Sequence, residues 1–266
     1  MNAVTSPAGT SAQYRGRQLF GQGAHEPYAC ALHHGLGTLT LRPQTEGSGI
    51  GPVHFKVQDW CGPASSGEVA LLRSSRGPVL DAGCGPGRML AAASALGLIA
   101  VGVDTSIEAV TRARSRGAMA LNLSIFDPLP YEGFWGTALL LDGNIGIGGD
   151  VPSLLRRVAQ LVRADGSVLV EVDPLEALDI SYRAVLHGAG SRPSEAFPWS
   201  RVGSTALACH AAAAGWRIVK TSIIDSTSRP ATNVTCPAGR KASTGSAGAP
   251  TTVVEDRLVC RLVRRI

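Results

Sequence analysis

GPVLDAGCGPGRMLAAASALGLIAVGVDT, residues 77–105, is the stretch whose reading decides the fold. Residues 78–80 are a short apolar run closed by Asp81. Gly83, Gly85 and Gly87 then alternate with Ala82, Cys84 and Pro86. Residues 89–98, rich in Ala and Leu, predict a helix. Residues 99–103 predict a buried strand with Asp104 at its carboxyl end. Strand, glycine turn, helix, strand and terminal acid, in that order, predict the nucleotide-binding half of a doubly wound α/β sheet.

The turn has its own chemistry. Glycines let the chain reverse sharply and leave no Cβ in the way of a ligand. The helix that follows points free N–H groups and a partial positive charge into the crevice. Asp104 lies 21 residues after Gly83, a distance that suits a carboxylate accepting two ribose hydroxyls. A nicotinamide dinucleotide site uses G-x-G-x-x-G, whose third glycine allows close helix–strand packing. Counted from Gly83 and Gly85, that position is Arg88. The absence of a Tyr-x-x-x-Lys pair also argues against an NAD(P)-dependent oxidoreductase, which stays as the alternative beside a catalytically silent binding protein.

The pattern D-x-G-C-G-x-G-R, residues 81–88, resembles motif I of class I S-adenosylmethionine-dependent methyltransferases. The resemblance covers about 60% of the chain, roughly residues 65–224. It implies a Rossmann-like, doubly wound, mostly parallel seven-stranded sheet with helices on both faces, and S-adenosyl-L-methionine as cofactor. By the family pattern Asp81, the backbone at Gly83, Cys84, Gly85 and Gly87, and Thr105 would surround the cofactor, with Asp81 toward its amino-acid part. Asp104 would hold the ribose, and Asp127 with Phe126 the adenine. An Asx-type turn before Pro128 is a second, compatible role for Asp127.

The other informative stretch is LLLDGNIGIGGD, residues 139–150, an apolar strand that opens into a glycine-rich loop. It resembles motif IV of bacterial small-molecule members of the class. Asp142, Asn144 and Ile145 would then line the methyl-donor end. Loop stabilisation through side-chain to backbone bonds is the competing role for Asp142 and Asn144. Nucleic-acid amino-methylating members carry N/D-P-P-Y/F here, whereas Asn144 is followed by Ile-Gly-Ile. The expected acceptor is therefore a small molecule. Methyl transfer needs alignment and exclusion of water rather than a triad, and the only catalytic candidates are Asn144 and His187, a lone histidine in the expected lid.

Composition narrows the class. A formal charge of +5 is scattered over helix faces, and aromatics make up 5% of the 266 residues, against a nucleic-acid partner. Six cysteines show no C-x-x-C and no metal spacing, which reads as a reducing cytoplasm without a metal site. No run approaches a membrane span. The adjacent His33 and His34 read as surface residues, and Trp60 and Trp135 as core or pocket walls. Three regions are expected: a loose arm and small hairpin cap over 1–64, the cofactor-binding core over 65–224 with a lid at 175–201, and a low-complexity connection with a last strand over 225–266. Residues 226–252, almost without large apolar side chains, cannot build core.

Overall fold

The computed structural model describes residues 20, 27–45, 50–224 and 256–265. The expected loose arm and low-complexity connection lie almost wholly outside these residues. In chain order the elements are α1 (Pro27–His34), β1 (Thr38–Pro43), β2 (Val53–Lys56), α2 (Val57–Cys61), α3 (Ser66–Arg73), β3 (Val79–Ala82), α4 (Arg88–Ala95), β4 (Ala100–Asp104), α5 (Ile107–Ser115), β5 (Ala120–Asn122), β6 (Trp135–Leu140), a 3-10 segment (Asn144–Gly149), α6 (Val151–Leu161), β7 (Val162–Val172), β8 (Asp179–Gly188), β9 (Phe197–Val202), α7 (Ser204–Ala213), β10 (Trp216–Ile224) and β11 (Arg257–Arg264).

Seven strands form the main sheet in the order β10-β11-β7-β6-β3-β4-β5. β11 runs antiparallel to both its neighbours, and the pairs from β7 to β5 are parallel. The expected seven-stranded, mostly parallel sheet is thus present, last strand included. Its central strands are apolar runs because helices cover both faces: every residue of β3 and of β6 is buried. Local signals agree with this layering. Ser65 and Glu68 close a capping box on α3, and Ser106 caps α5. Asp150 caps α6, whose Leu154, Leu155, Val158 and Leu161 face the core. Among the described residues no helix is long and apolar enough to cross a membrane.

A second, antiparallel sheet has the order β2-β1-β8-β9. The expected hairpin is β1 with β2, Leu39 opposite Phe55. The segment expected as a lid supplies the other two strands, with Thr40 opposite His187. Cap and lid are therefore one layer rather than two separate covers. The register follows from Ala184 and Leu186, the two fully buried residues of β8, which enter a small core with Leu39, Leu41, Val57 and Ala109.

Candidate cofactor and acceptor site

β3 lies between β4 and β6, so the crevice at their carboxyl ends is the point where strand order reverses, the usual ligand site of such sheets. The turn after β3 is bare by necessity. Gly83 and Gly85 take φ of 74° and 52°, in the left-handed region that favours glycine. A Cβ on Gly83 would stand 2.7 Å from Asn144 Nδ2, and one on Gly85 3.2 Å from the Tyr28 hydroxyl.

Asp104 ends β4 at the mouth of this turn. Its carboxylate accepts from the Gly85 N–H at 2.9 Å and from the Ser106 N–H at 2.8 Å. Burial pushes its pKa up to about 6, against the pull of the N–H groups of Ser106, Gly85 and Thr105. Asp81, 4% exposed, accepts no hydrogen bond among the described residues. Burial, and then the charges of Asp142, Asp104 and Glu68, raise it to about 7 despite Arg88.

Across the switch point, Asp142 is one of two described non-glycine residues with positive φ, at 56°. Asn144 donates through Nδ2 to Ala82 O at 2.9 Å and Gly83 O at 3.0 Å, which ties the loop after β6 to the glycine turn. The loop-stabilising role weighed for Asn144 is the one its amide performs.

Arg88 and Asp142, both in the crevice wall, belong to an ionic network that motif reading did not find. Glu68, fully buried, receives Arg88 and Arg257, each at 2.6 Å. Asp142 receives Arg88 at 2.7 Å and Arg257 at 3.0 Å. Glu171 receives Arg257 at 2.5 Å and the Asp142 N–H at 2.6 Å. Burial opposes the charge on Glu68, but Arg88 and Arg257 overcome it and hold its pKa at about 2. The only signal in sequence is Arg88 in place of a glycine. With Asp81 and Asp104 included, two guanidinium groups face five carboxylates.

Of the predicted site residues, Gly83, Cys84, Gly85, Asp104, Thr105, Phe126, Asp142 and Asn144 line a single cavity above the turn. Asp81, Gly87, Asp127 and Ile145 are not in its wall. Asp81 sits behind the turn. Gly87 packs on α5, where a Cβ would meet the Ala113 Cβ at 2.9 Å. The Asp127 carboxylate turns back to accept from the Ser124 N–H at 2.8 Å, while the Leu129 N–H that an Asx-type turn would use goes to Glu132, and Ser124 and Ile125 take the wall position instead. Ile145 is buried and borders a second cavity. His187 lies on β8, outside the wall of either cavity. Trp60 is both core and cavity wall, whereas Trp135 is core. His33 and His34 are exposed, and the described residues hold no cluster of metal-ligating side chains.

Residues 64–221 match the family model of a methyltransferase domain. A search of curated proteins finds no match. Among solved structures, a SAM-dependent methyltransferase from Bacteroides fragilis, crystallised with S-adenosyl-L-homocysteine, superposes with a TM-score of 0.62 at 20% identity, over 90% of this chain and 93% of that one. The CcbJ methyltransferase from Streptomyces caelestis gives 0.51 at 14% identity, over 78% and 92%. At these identities the likeness establishes the fold. Because the domain model spans more than half of the sequence and the fold agrees with it, the chain belongs to the methyltransferase-domain family.

Proposed function

We propose that this protein transfers a methyl group from S-adenosyl-L-methionine to a small molecule. The observation that carries the reading is the charge of the crevice: a bare glycine turn, an acid at the end of β4, and carboxylates that outnumber guanidinium groups in and around its wall. A sulfonium and an α-ammonium suit such a site. A dinucleotide would bring two phosphates into the same field, which opposes the oxidoreductase alternative. The turn itself needs both glycines, since a Cβ on Gly83 would press on Asn144 and one on Gly85 on the Tyr28 hydroxyl.

In this reading Asp104 accepts from the ribose hydroxyls, the Phe126 ring covers adenine, and Asp81 favours the ligand's cationic groups through space. Asn144 is a positioning residue that fixes the two loops around the reacting centre. When bound, S-adenosylmethionine supplies a methyl activated by its sulfonium, which passes in line to the acceptor and leaves S-adenosylhomocysteine. No His or Lys occurs among the described residues lining the cavity, so the acceptor brings its own lone pair and releases its proton, where it has one, to solvent. Among the five described cysteines none forms a disulfide, which supports a reducing, cytoplasmic setting.

Calorimetric titration tests the reading. S-adenosylhomocysteine binds and NAD does not. Affinity falls about three- to tenfold between pH 8 and pH 5.5, because a ligand cation favours the ionised forms of Asp81 and Asp104 and the protons they bind at low pH must leave. Asp81→Asn flattens this profile. Tighter binding at pH 5.5, or NAD competing with S-adenosylhomocysteine, overturns the assignment.

A further inference from the structure

The chain is poor in aromatics, four Trp, four Tyr and five Phe, yet seven of these side chains line the one cavity above the glycine turn. Phe126 stands apart at the proposed adenine position. Phe20, Tyr28, Phe55, Trp60, Phe197 and Trp199 gather in a box. Its frame belongs to the second sheet and its helices: Tyr28 to α1, Phe55 to β2, Trp60 to α2, and Phe197 and Trp199 to β9.

Phe20 is different. It belongs to no helix or strand, it is only half-buried, and its ring sits among the frame rings. Its centroid is 5.2 Å from Tyr28, 5.2 Å from Trp199, 5.3 Å from Phe197 and 6.4 Å from Phe55. These are the separations of paired aromatic rings. A phenyl ring carried in from outside the framework thus shows what the box accepts.

The box also has one polar handle. Tyr28 is 8% exposed, and its hydroxyl has no hydrogen-bond partner among the described residues. Burial and the nearby charges of Asp104 and Asp142 keep that hydroxyl protonated, so it can donate to an acceptor atom in the cavity. It lies beside Gly85, where the aromatic box meets the proposed donor site. Phe55, Trp60 and Trp199 also border the second cavity, which opens between β2 and the carboxyl end of β7 and leaves space for substituents.

Resting on the methyl-transfer reading, we propose that the methyl acceptor is a flat aromatic molecule bearing a ring oxygen or nitrogen substituent, and that its ring takes the place now held by the Phe20 side chain.

The probes are 2-naphthol and its saturated counterpart decahydro-2-naphthol, titrated calorimetrically into the full chain with S-adenosylhomocysteine at saturation. The flat phenol binds about tenfold or more tighter than the puckered alcohol, because only it gains ring–ring contacts. Phe20→Ala tightens 2-naphthol about threefold or more, since the competing ring is gone. Trp199→Leu weakens it about tenfold, and the half-buried Phe55→Leu repeats the loss at a site less needed for folding. Equal affinity for the two probes, or a Phe20→Ala variant that binds 2-naphthol no tighter than wild type, overturns the proposal. The S-adenosylhomocysteine titration separates the two readings. If it fails in the wild type the donor assignment falls, whereas 2-naphthol failing with that ligand bound removes the aromatic acceptor alone.

Discussion

Arg257→Met lowers the free energy of unfolding by about 3–5 kcal/mol at pH 7, the range for removing one partner from a buried ionic cluster. The guanidinium donates to Glu68, Asp142 and Glu171 together. Methionine keeps most of the side-chain volume but leaves three carboxylates around the single charge of Arg88. Arg257→Lys retains the charge without the planar fork and falls between the two. The pH dependence has a fixed sign. Glu68 has a depressed pKa, so its ionised pairs stabilise the fold above its ordinary value of 4.5, and this contribution is lost as the pH falls toward 2. The gap between wild type and variant in urea melts therefore narrows across that window. A methionine variant within about 1 kcal/mol of wild type at pH 7 shows that the network contributes little.

The network also explains what was and was not legible in the sequence. The nucleotide-binding half was readable because its signals are local: a four-residue buried strand, three glycines in the left-handed region and an acid at the end of the next strand all fall within residues 77–105. The roles of Arg88 and Arg257 were not readable that way. Glu68 and Arg257 are 189 positions apart, and Arg88 and Asp142 are 54 apart. Periodicity carries no information about such pairs, which exist only once strand order is known. Arg88 does more than mark what the turn is not: it is the hub to which two carboxylates are tied. The final strand slots between β10 and β7 and delivers Arg257 to the carboxylates of Glu68, Asp142 and Glu171.

The cap shows the same limit on a smaller scale. The alternation of β1 and β2 was enough to predict a hairpin. That β8 and β9 complete its sheet could not be read, because in β8 only Ala184 and Leu186 are fully buried, and its polar residues face outward along the rest of its length. The aromatic box was hidden for a related reason. Its rings come from positions 20, 28, 55, 60, 197 and 199, so sequence shows only scattered aromatics and the Phe197–Trp199 pair, not a box. Where one carboxylate has two compatible roles, sequence cannot choose between them. For Asp127 both an Asx-type turn and an adenine contact fit the sequence, and in the structure its carboxylate accepts instead from the Ser124 N–H, three residues earlier.

Asp104→Ala weakens S-adenosylhomocysteine about 100-fold or more. A hydrogen bond to a charged group is worth about 1.5–3 kcal/mol, and in the proposed complex this carboxylate takes two from the ribose. The same change releases the Gly85 and Ser106 N–H groups, so part of the loss comes from a looser turn. Asn122→Ala measures that part by itself. Its side-chain amide donates to Asp104 O at 3.0 Å and Thr105 O at 2.9 Å, holding the end of β4 without touching the carboxylate. If positioning alone matters, the two variants lose affinity alike. If the carboxylate meets the ligand, Asn122→Ala stays within about threefold of wild type while Asp104→Ala does not. An Asp104→Ala protein that remains folded in urea melts and binds S-adenosylhomocysteine within threefold of wild type would remove the ribose role from this acid, and with it the orientation of the donor in the crevice.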